Sequence, residues 1–252
     1  MKTKALYSLF LAVAAVALVA ISMPVHASKM DDLIESSAKT SYVFKTYLKD
    51  DDIKIQSRNG AVTLTGSVSE DNHKSLAQET VAGLPGVKSV DNGLVVKGER
   101  PAEKSDAWLS AKVKTTLLFH QNVSVMTEVK AKDGIVTLQG AAASQAQKEL
   151  TAEYAKDIDG VKDVINEMVV SSPSEKTRTV GDKIDDASIT ALVKMTLLYH
   201  RSTSALNTKV ETKDGVVTLY GKAKDASEKV LATKLANDVT GVKGVQNRMT
   251  FE

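Results

Sequence analysis

A chain of 252 residues without one cysteine cannot use disulfides, thiolate metal sites or an acylated N-terminal cysteine, so each domain must stand on packing. Its 33 basic and 31 acidic side chains nearly balance, and removing residues 1–27 takes away Lys2 and Lys4 and no acid, leaving a formal charge of zero. Nucleic-acid binders carry a basic excess and stacking aromatics; this balance, with one Trp and four Phe, speaks against that class.

The chain opens with Lys2 and Lys4, an apolar run over 5–21, the helix-breaking Pro24, and Val25-His26-Ala27. This order predicts a secretory signal over 1–27, cleaved between Ala27 and Ser28. A membrane anchor is the rival reading, because the run is about long enough to span. Export places the mature chain in the periplasm.

Beyond residue 27 one pattern occurs three times. In copy one an amphipathic helix is expected within "SYVFKTYLKDDD" (41–52). A hairpin follows, with Ile53 and Ile55 before Asn59-Gly60 and Val62 and Leu64 after it. Asn-Gly and Asp-Gly favour the two-residue type I′ turn, whose central residues both need positive φ. Ser69 then offers a cap for a helix marked by Leu76, Val81 and Leu84, and Gly86 is expected to stop it. A last strand runs over 87–96. The polar stretch "KGERPAEKSD" (97–106) separates copies one and two.

Copy two carries "LSAKVKTTLLFH" (109–120), in which Leu109, Val113 and Leu117 form a core stripe. Its hairpin faces Val129 and Ala131 with Val136 and Leu138 around "DGIVTLQG" (133–140). Ser144 and Gln147 have capping-box spacing ahead of Leu150, Tyr154 and Ile158; Gly160 and a strand over 161–170 complete the unit. After "SSPSEKTRTVGDKIDDAS" (171–188), copy three repeats this with "ITALVKMTLLYH" (189–200), "DGVVTLYG" (214–221), the Asp225–Glu228 cap, Gly241 and a strand over 242–251. The domains are expected at 28–98, 104–171 and 182–252, with linkers at 99–103 and 172–181. Each runs α-β-β-α-β, so the fold class is α+β: three tandem sandwiches, each with two helices on a three-stranded sheet.

These residues resemble the BON domain family. The likeness rests on the αββαβ order, the D-G-x-V-T-L-x-G hairpin, and the "GVKSVDN", "GVKDVIN" and "GVKGVQN" entries to the last strands. It covers almost all of the mature chain. It implies an exported, non-enzymatic protein of the cell envelope, tied to osmotic stress, that associates with phospholipid. "SDAWLSAKVKTTLL" (105–118) is also similar to the first helix of the membrane-proximal domain of a lipoprotein in that family, where a tryptophan sits at the lipid. Without an acylated cysteine, any membrane contact here is peripheral, reversible and weak.

Trp108, Lys112, Thr115 and Phe119 lie at helical spacing beside the Leu109 stripe. They form a candidate lipid-binding face, with Lys104, Lys112 and Lys114 near lipid phosphates. The competing account has Trp108 capping its own core or packing on a neighbouring domain. Its counterparts are read as Ala38 in copy one and Ser188 in copy three. His120 and His200 share one position, after the first helix, where an imidazole suits the helix dipole. "DDD" (50–52) lacks the ordered spacing of a calcium loop, and Asp185 and Asp186 sit where carboxylates favour a helix start.

No G-x-S-x-G elbow, P-loop, dinucleotide fingerprint or H-E-x-x-H pair is present. The expectation is therefore no enzyme, no cofactor and no metal. Two functions stay open: binding to anionic phospholipid surfaces, or holding polypeptide clients or envelope proteins through sheet edges and interdomain grooves.

Overall fold

The computed structural model describes residues 25–98, 105–123, 127–171, 184–203 and 208–251. The expected signal peptide, apart from 25–27, and both expected linkers lie outside them, as does Lys104.

Copy one consists of α1 (Val25–Thr40), α2 (Tyr42–Thr46), β1 (Asp52–Arg58), β2 (Ala61–Val68), α3 (Asp71–Ala82), β3 (Ser89–Asn92) and β4 (Val95–Val96). Copy two consists of α4 (Asp106–Phe119), β5 (Thr127–Lys132), β6 (Ile135–Ala142), α5 (Gln145–Lys156), β7 (Asp163–Asn166) and β8 (Val169–Val170). Copy three consists of α6 (Asp186–Tyr199), β9 (Thr208–Lys213), β10 (Val216–Ala223), α7 (Ala226–Asn237), β11 (Gly244–Asn247) and β12 (Thr250–Phe251).

In every copy the second hairpin strand is central, antiparallel to the first and parallel to the last. Val129 faces Leu138 and Ala131 faces Val136; Val210 faces Leu219 and Thr212 faces Val217. In copy one the pairs are Ile55 with Leu64 and Ser57 with Val62. Both turn residues have positive φ in each hairpin, 54° and 81° at Asn59-Gly60 for example, as the type I′ turn requires.

The last strand is broken in two, and the repeated asparagine explains the break. Nδ2 of Asn92, Asn166 and Asn247 donates to the carbonyl of Lys74, Lys148 and Lys229 in the helix above. The side-chain oxygen accepts the amide of Leu94, Met168 or Met249 two residues on. The asparagine thus ties strand to helix and turns a buried apolar side chain inward between the two strand segments.

Three local expectations are corrected. The first helix of copy one is α1, upstream of 41–52; Ser41 follows it and caps the short α2. Helix α3 has Glu70, not Ser69, at its N-cap, without a side-chain bond, whereas Ser144 and Asp225 cap α5 and α7 as their boxes suggest. Finally, Gly86, Gly160 and Gly241 do not stop the helices, which end at Ala82, Lys156 and Asn237. Each glycine instead has positive φ and lets the first helix of its copy pack close, against Ile34, Leu109 or Ile189.

In each copy a carboxylate on the first helix joins it to the hairpin turn. Asp31 accepts from the amides of Asn59 and Gly60 and the hydroxyl of Ser57, Asp106 from Gly134, and Asp186 from Asp214 and Gly215. The Ser57 hydroxyl, then the turn amides, hold the Asp31 carboxyl below its ordinary range.

Helix α6 organises the whole. Every residue from Ala187 to Val193 is buried, as befits a helix apolar all round. Its N-cap Asp185 accepts from the Tyr42 amide at 2.8 Å, Ser188 accepts from the Val43 amide, and Lys194 pairs with Glu79 at 2.7 Å. Copies one and three thereby share a continuous apolar core, which Phe119 of copy two enters. The rest of copy two keeps its own core around Leu109, Leu138 and Met168.

Candidate functional site

The candidate lipid-binding stripe lies on α4, at the junction of all three copies. Ser105 caps the helix by accepting from the Trp108 amide at 3.2 Å. Trp108 is half-buried and packs on the core of copy two; Lys114 is exposed. The Lys112 ammonium stands 4.8 Å from the centre of the Trp108 ring and 5.3 Å from that of Tyr199 in copy three. It donates to the Asp159 carbonyl at 3.0 Å and pairs with the Asp159 carboxylate at 3.6 Å. Burial pushes the Lys112 ammonium below its ordinary pKa, against the pull of Asp159. Thr115 accepts a hydrogen bond from Asn72 of copy one. Phe119 is fully buried, with the Tyr47 ring edge-on at 5.5 Å.

This placement corrects the reading of the stripe as one open face. Lys112, Thr115 and Phe119 are closed off by copies one and three and cannot lie on a flat lipid surface in this arrangement. Trp108 and Lys114 remain at the rim. The counterpart of Trp108 is also corrected. Counted from the turn-binding carboxylates, Trp108 aligns with Leu33, not Ala38; Ala38 is core. Leu33 is 56% exposed, while Ser188, the counterpart in copy three, is buried.

The repeated histidines mark the interface between copies two and three. The segment after α4 bridges the end of α7, and the segment after α6 bridges the end of α5. Gln121 donates to the Asp238 carbonyl and Thr240 to the Phe119 carbonyl; reciprocally, Arg201 donates to Asp157 and Asp159 to Tyr199. The guanidinium of Arg201 also donates to the carbonyls of Lys156 and Val161, capping the end of α5 across the interface. Copy one has Gly83 and Pro85 where the other two have Asp157 and Asp159 or Asp238 and Thr240. A proline has no N–H to donate, so copy one cannot join this reciprocal pairing.

The imidazoles sit inside it. His120 is buried, stacked on Tyr154, and hydrogen-bonded through Nδ1 to Asp238. Tyr154 and Asn122 donate to the same carboxylate. Burial works against the charge of Asp238, but the bonds from His120, Tyr154 and Asn122 outweigh it and hold the pKa low. Burial, then Asp238, pushes the Tyr154 phenol well above its usual range. His200 is also buried, with Nε2 3.5 Å from Asp157 and without a hydrogen bond among the described residues, while Nδ1 accepts from the Ser202 amide at 3.1 Å.

Among the described residues, no helix is long and apolar enough to cross a membrane. Osmotically-inducible protein Y of Escherichia coli is 32% identical over 184 residues, 73% of this chain and 87% of its own length. Outer membrane lipoprotein DolP of Haemophilus influenzae is 34% identical over 127 residues, 46% of this chain and 65% of its own. A solved chain of CdsD, a structural protein of the type III secretion system of Chlamydia trachomatis, aligns over 88% of this chain and 92% of its own, with 18% identity and a TM-score of 0.25. Residues 30–98, 105–172 and 185–252 each match the BON domain, and on that ground the chain belongs to the BON domain family, with three copies.

Proposed function

We propose that this protein is a non-enzymatic periplasmic component of the envelope response to osmotic stress, and that it touches anionic phospholipid surfaces weakly through the rim of α4. The observation that carries this reading is a recurrence. The same position on the first helix holds a large apolar side chain that reaches the surface in two copies, exposed at Leu33 and half-buried at Trp108, and a buried serine in the third. Lys114 is the exposed lysine further along the same helix, and Lys104 belongs to the same basic neighbourhood in sequence. The two relatives, one osmotically inducible by name and one an outer-membrane lipoprotein, support the envelope setting.

The energies make the contact weak. Part of an indole and one or two lysines supply about 2–4 kcal/mol, roughly millimolar affinity or weaker. Useful attachment therefore needs several contacts at once.

Co-flotation with vesicles tests the proposal. The mature chain should float with vesicles rich in phosphatidylglycerol and stay behind with phosphatidylcholine alone. Trp108 is the only tryptophan, so its emission should shift to the blue on binding. Trp108→Ala and Leu33→Ser should each weaken flotation. Equal flotation with both lipids, or no effect of either substitution, would overturn the assignment.

A further inference from the structure

We propose that the interface between copies two and three is a clasp released by mild acid, with His200 as the group that senses the proton. The argument begins with the tautomer. A backbone amide can only donate, so Nδ1 of His200, which meets the Ser202 N–H, must carry a lone pair. The ring is therefore neutral, with its proton on Nε2. Making it cationic means adding a proton at Nδ1, which breaks the Ser202 bond and sets two donors face to face.

The surroundings add to that cost. His200 is 7% exposed, and among the described residues its Nε2 has no hydrogen-bond partner. Asp157, at the end of α5, favours the cation from 3.5 Å, but its side chain is half in water. Against the cation stand Arg201 on the adjoining residue and His120 at the end of α4. Taken together, burial leads and holds the imidazole below its ordinary pKa of 6.5.

His200 is also placed to transmit a change of charge. It is the bridge partner of Ile158, and the neighbouring Tyr199 carbonyl and Arg201 amide make one of the two reciprocal bond pairs. An imidazolium seeking water has to move this segment, and these bonds move with it. His120 is not built alike, because its Nδ1 faces a carboxylate that accepts from either protonation state. Two histidines at one repeat position thus have different surroundings: His120 ties the clasp through Asp238, and His200 holds the Ser202 amide. Once open, the clasp frees Lys112 from Tyr199, which widens the rim around Trp108; that consequence rests on the lipid reading above.

Hydrogen exchange of the full mature chain tests the clasp directly. The reporters are four amides bonded between copies two and three, of Gln121, Asp159, Arg201 and Thr240. The reference is the Lys162 amide, bonded within copy two to Gly134. After correction for intrinsic rates, protection at the four reporters should be lower at about pH 5.5 than at about pH 7.5, by up to about tenfold in all, while Lys162 holds. His200→Gln keeps an acceptor for Ser202 without titrating, and should keep the reporters protected at both values. Asp157→Asn removes the charge that eases protonation, and should deepen the loss in acid. Unchanged protection at about pH 5.5, or the same loss in His200→Gln, would overturn the proposal. Vesicle flotation at both pH values separates the two readings: a clasp that opens without any lipid binding would remove the lipid assignment and leave the switch.

Discussion

Nδ1 of His120 lies 3.1 Å from the carboxylate of Asp238, across the boundary between the second and third copies. The same carboxylate accepts from Tyr154 at 2.7 Å, on whose ring His120 is stacked. Side chains from two copies thus converge on one carboxylate, and removing that carboxylate takes a bond from each of them. Asp238→Ala is expected to destabilise the protein by about 2–4 kcal/mol, because the buried His120 and the half-buried Tyr154 both lose this acceptor. Tyr154→Phe removes one bond and keeps the stacking, so about 1 kcal/mol is expected. Urea denaturation of the two variants checks the order.

Stability should also depend on pH through His200. Its pKa in the folded chain lies below its ordinary 6.5, so the unfolded chain takes up the proton first as pH falls. The contribution is therefore complete above about pH 6.5, is lost through the window below it, and levels off under the folded value. Thermal midpoints measured across this range should decline in the native chain and decline less in His200→Gln. A steeper decline in the variant would contradict the assignment.

Lys112 separates packing from charge. Its stem is buried beside Trp108 and its ammonium rests against the Asp159 carbonyl. Lys112→Met keeps the volume and removes a desolvated charge, so a change within about 1 kcal/mol is expected. Lys112→Ala also empties the space between Trp108 and Tyr199, and should cost about 2 kcal/mol or more. Equal losses in the two variants, by chemical denaturation, would show that the ammonium itself holds the copies together.

The repeated asparagines offer a test that applies to each copy. Asn166→Ala leaves the Lys148 carbonyl and the Met168 amide without their partner, for an expected loss of about 1–3 kcal/mol. Asn92→Ala and Asn247→Ala should lose at least as much, since they make the same two bonds and one more each, to Gln78 or Thr233. Calorimetry of the three variants measures this.

Turn glycines should not be equivalent. Gly60 and Gly134 both have positive φ, which strains any other residue by about 1–3 kcal/mol. A Cβ on Gly60 would stand 2.4 Å from the Gly86 carbonyl oxygen, which is backbone, whereas one on Gly134 meets only the flexible Lys162 side chain at 3.0 Å. Gly60→Ala is therefore expected to lower the melting temperature more than Gly134→Ala.

The chain pattern by itself determined the repeated unit. Alternation across Val129, Ala131, Val136 and Leu138 can bury only one face, and Asp133-Gly134 admits only a tight turn, so hairpin and register follow from local chemistry. It also placed the caps of α5 and α7, because those bonds span three residues. Where local signals were poor it misled: the first helix of copy one runs upstream of the stretch chosen for it, and Leu33 was missed as the partner of Trp108.

What the tertiary structure decided is which faces survive association. A helix stripe looks the same in sequence whether water or another domain covers it, so Thr115 and Phe119 could be placed only once Asn72 and Tyr47 were seen against them. The bridges at His120 and His200 are made by backbone amides and carbonyls, which every residue but proline possesses and which leave no spacing to read. Only Pro85 in copy one and the doubled histidine hinted at the pairing, and neither has meaning until the copies are brought together.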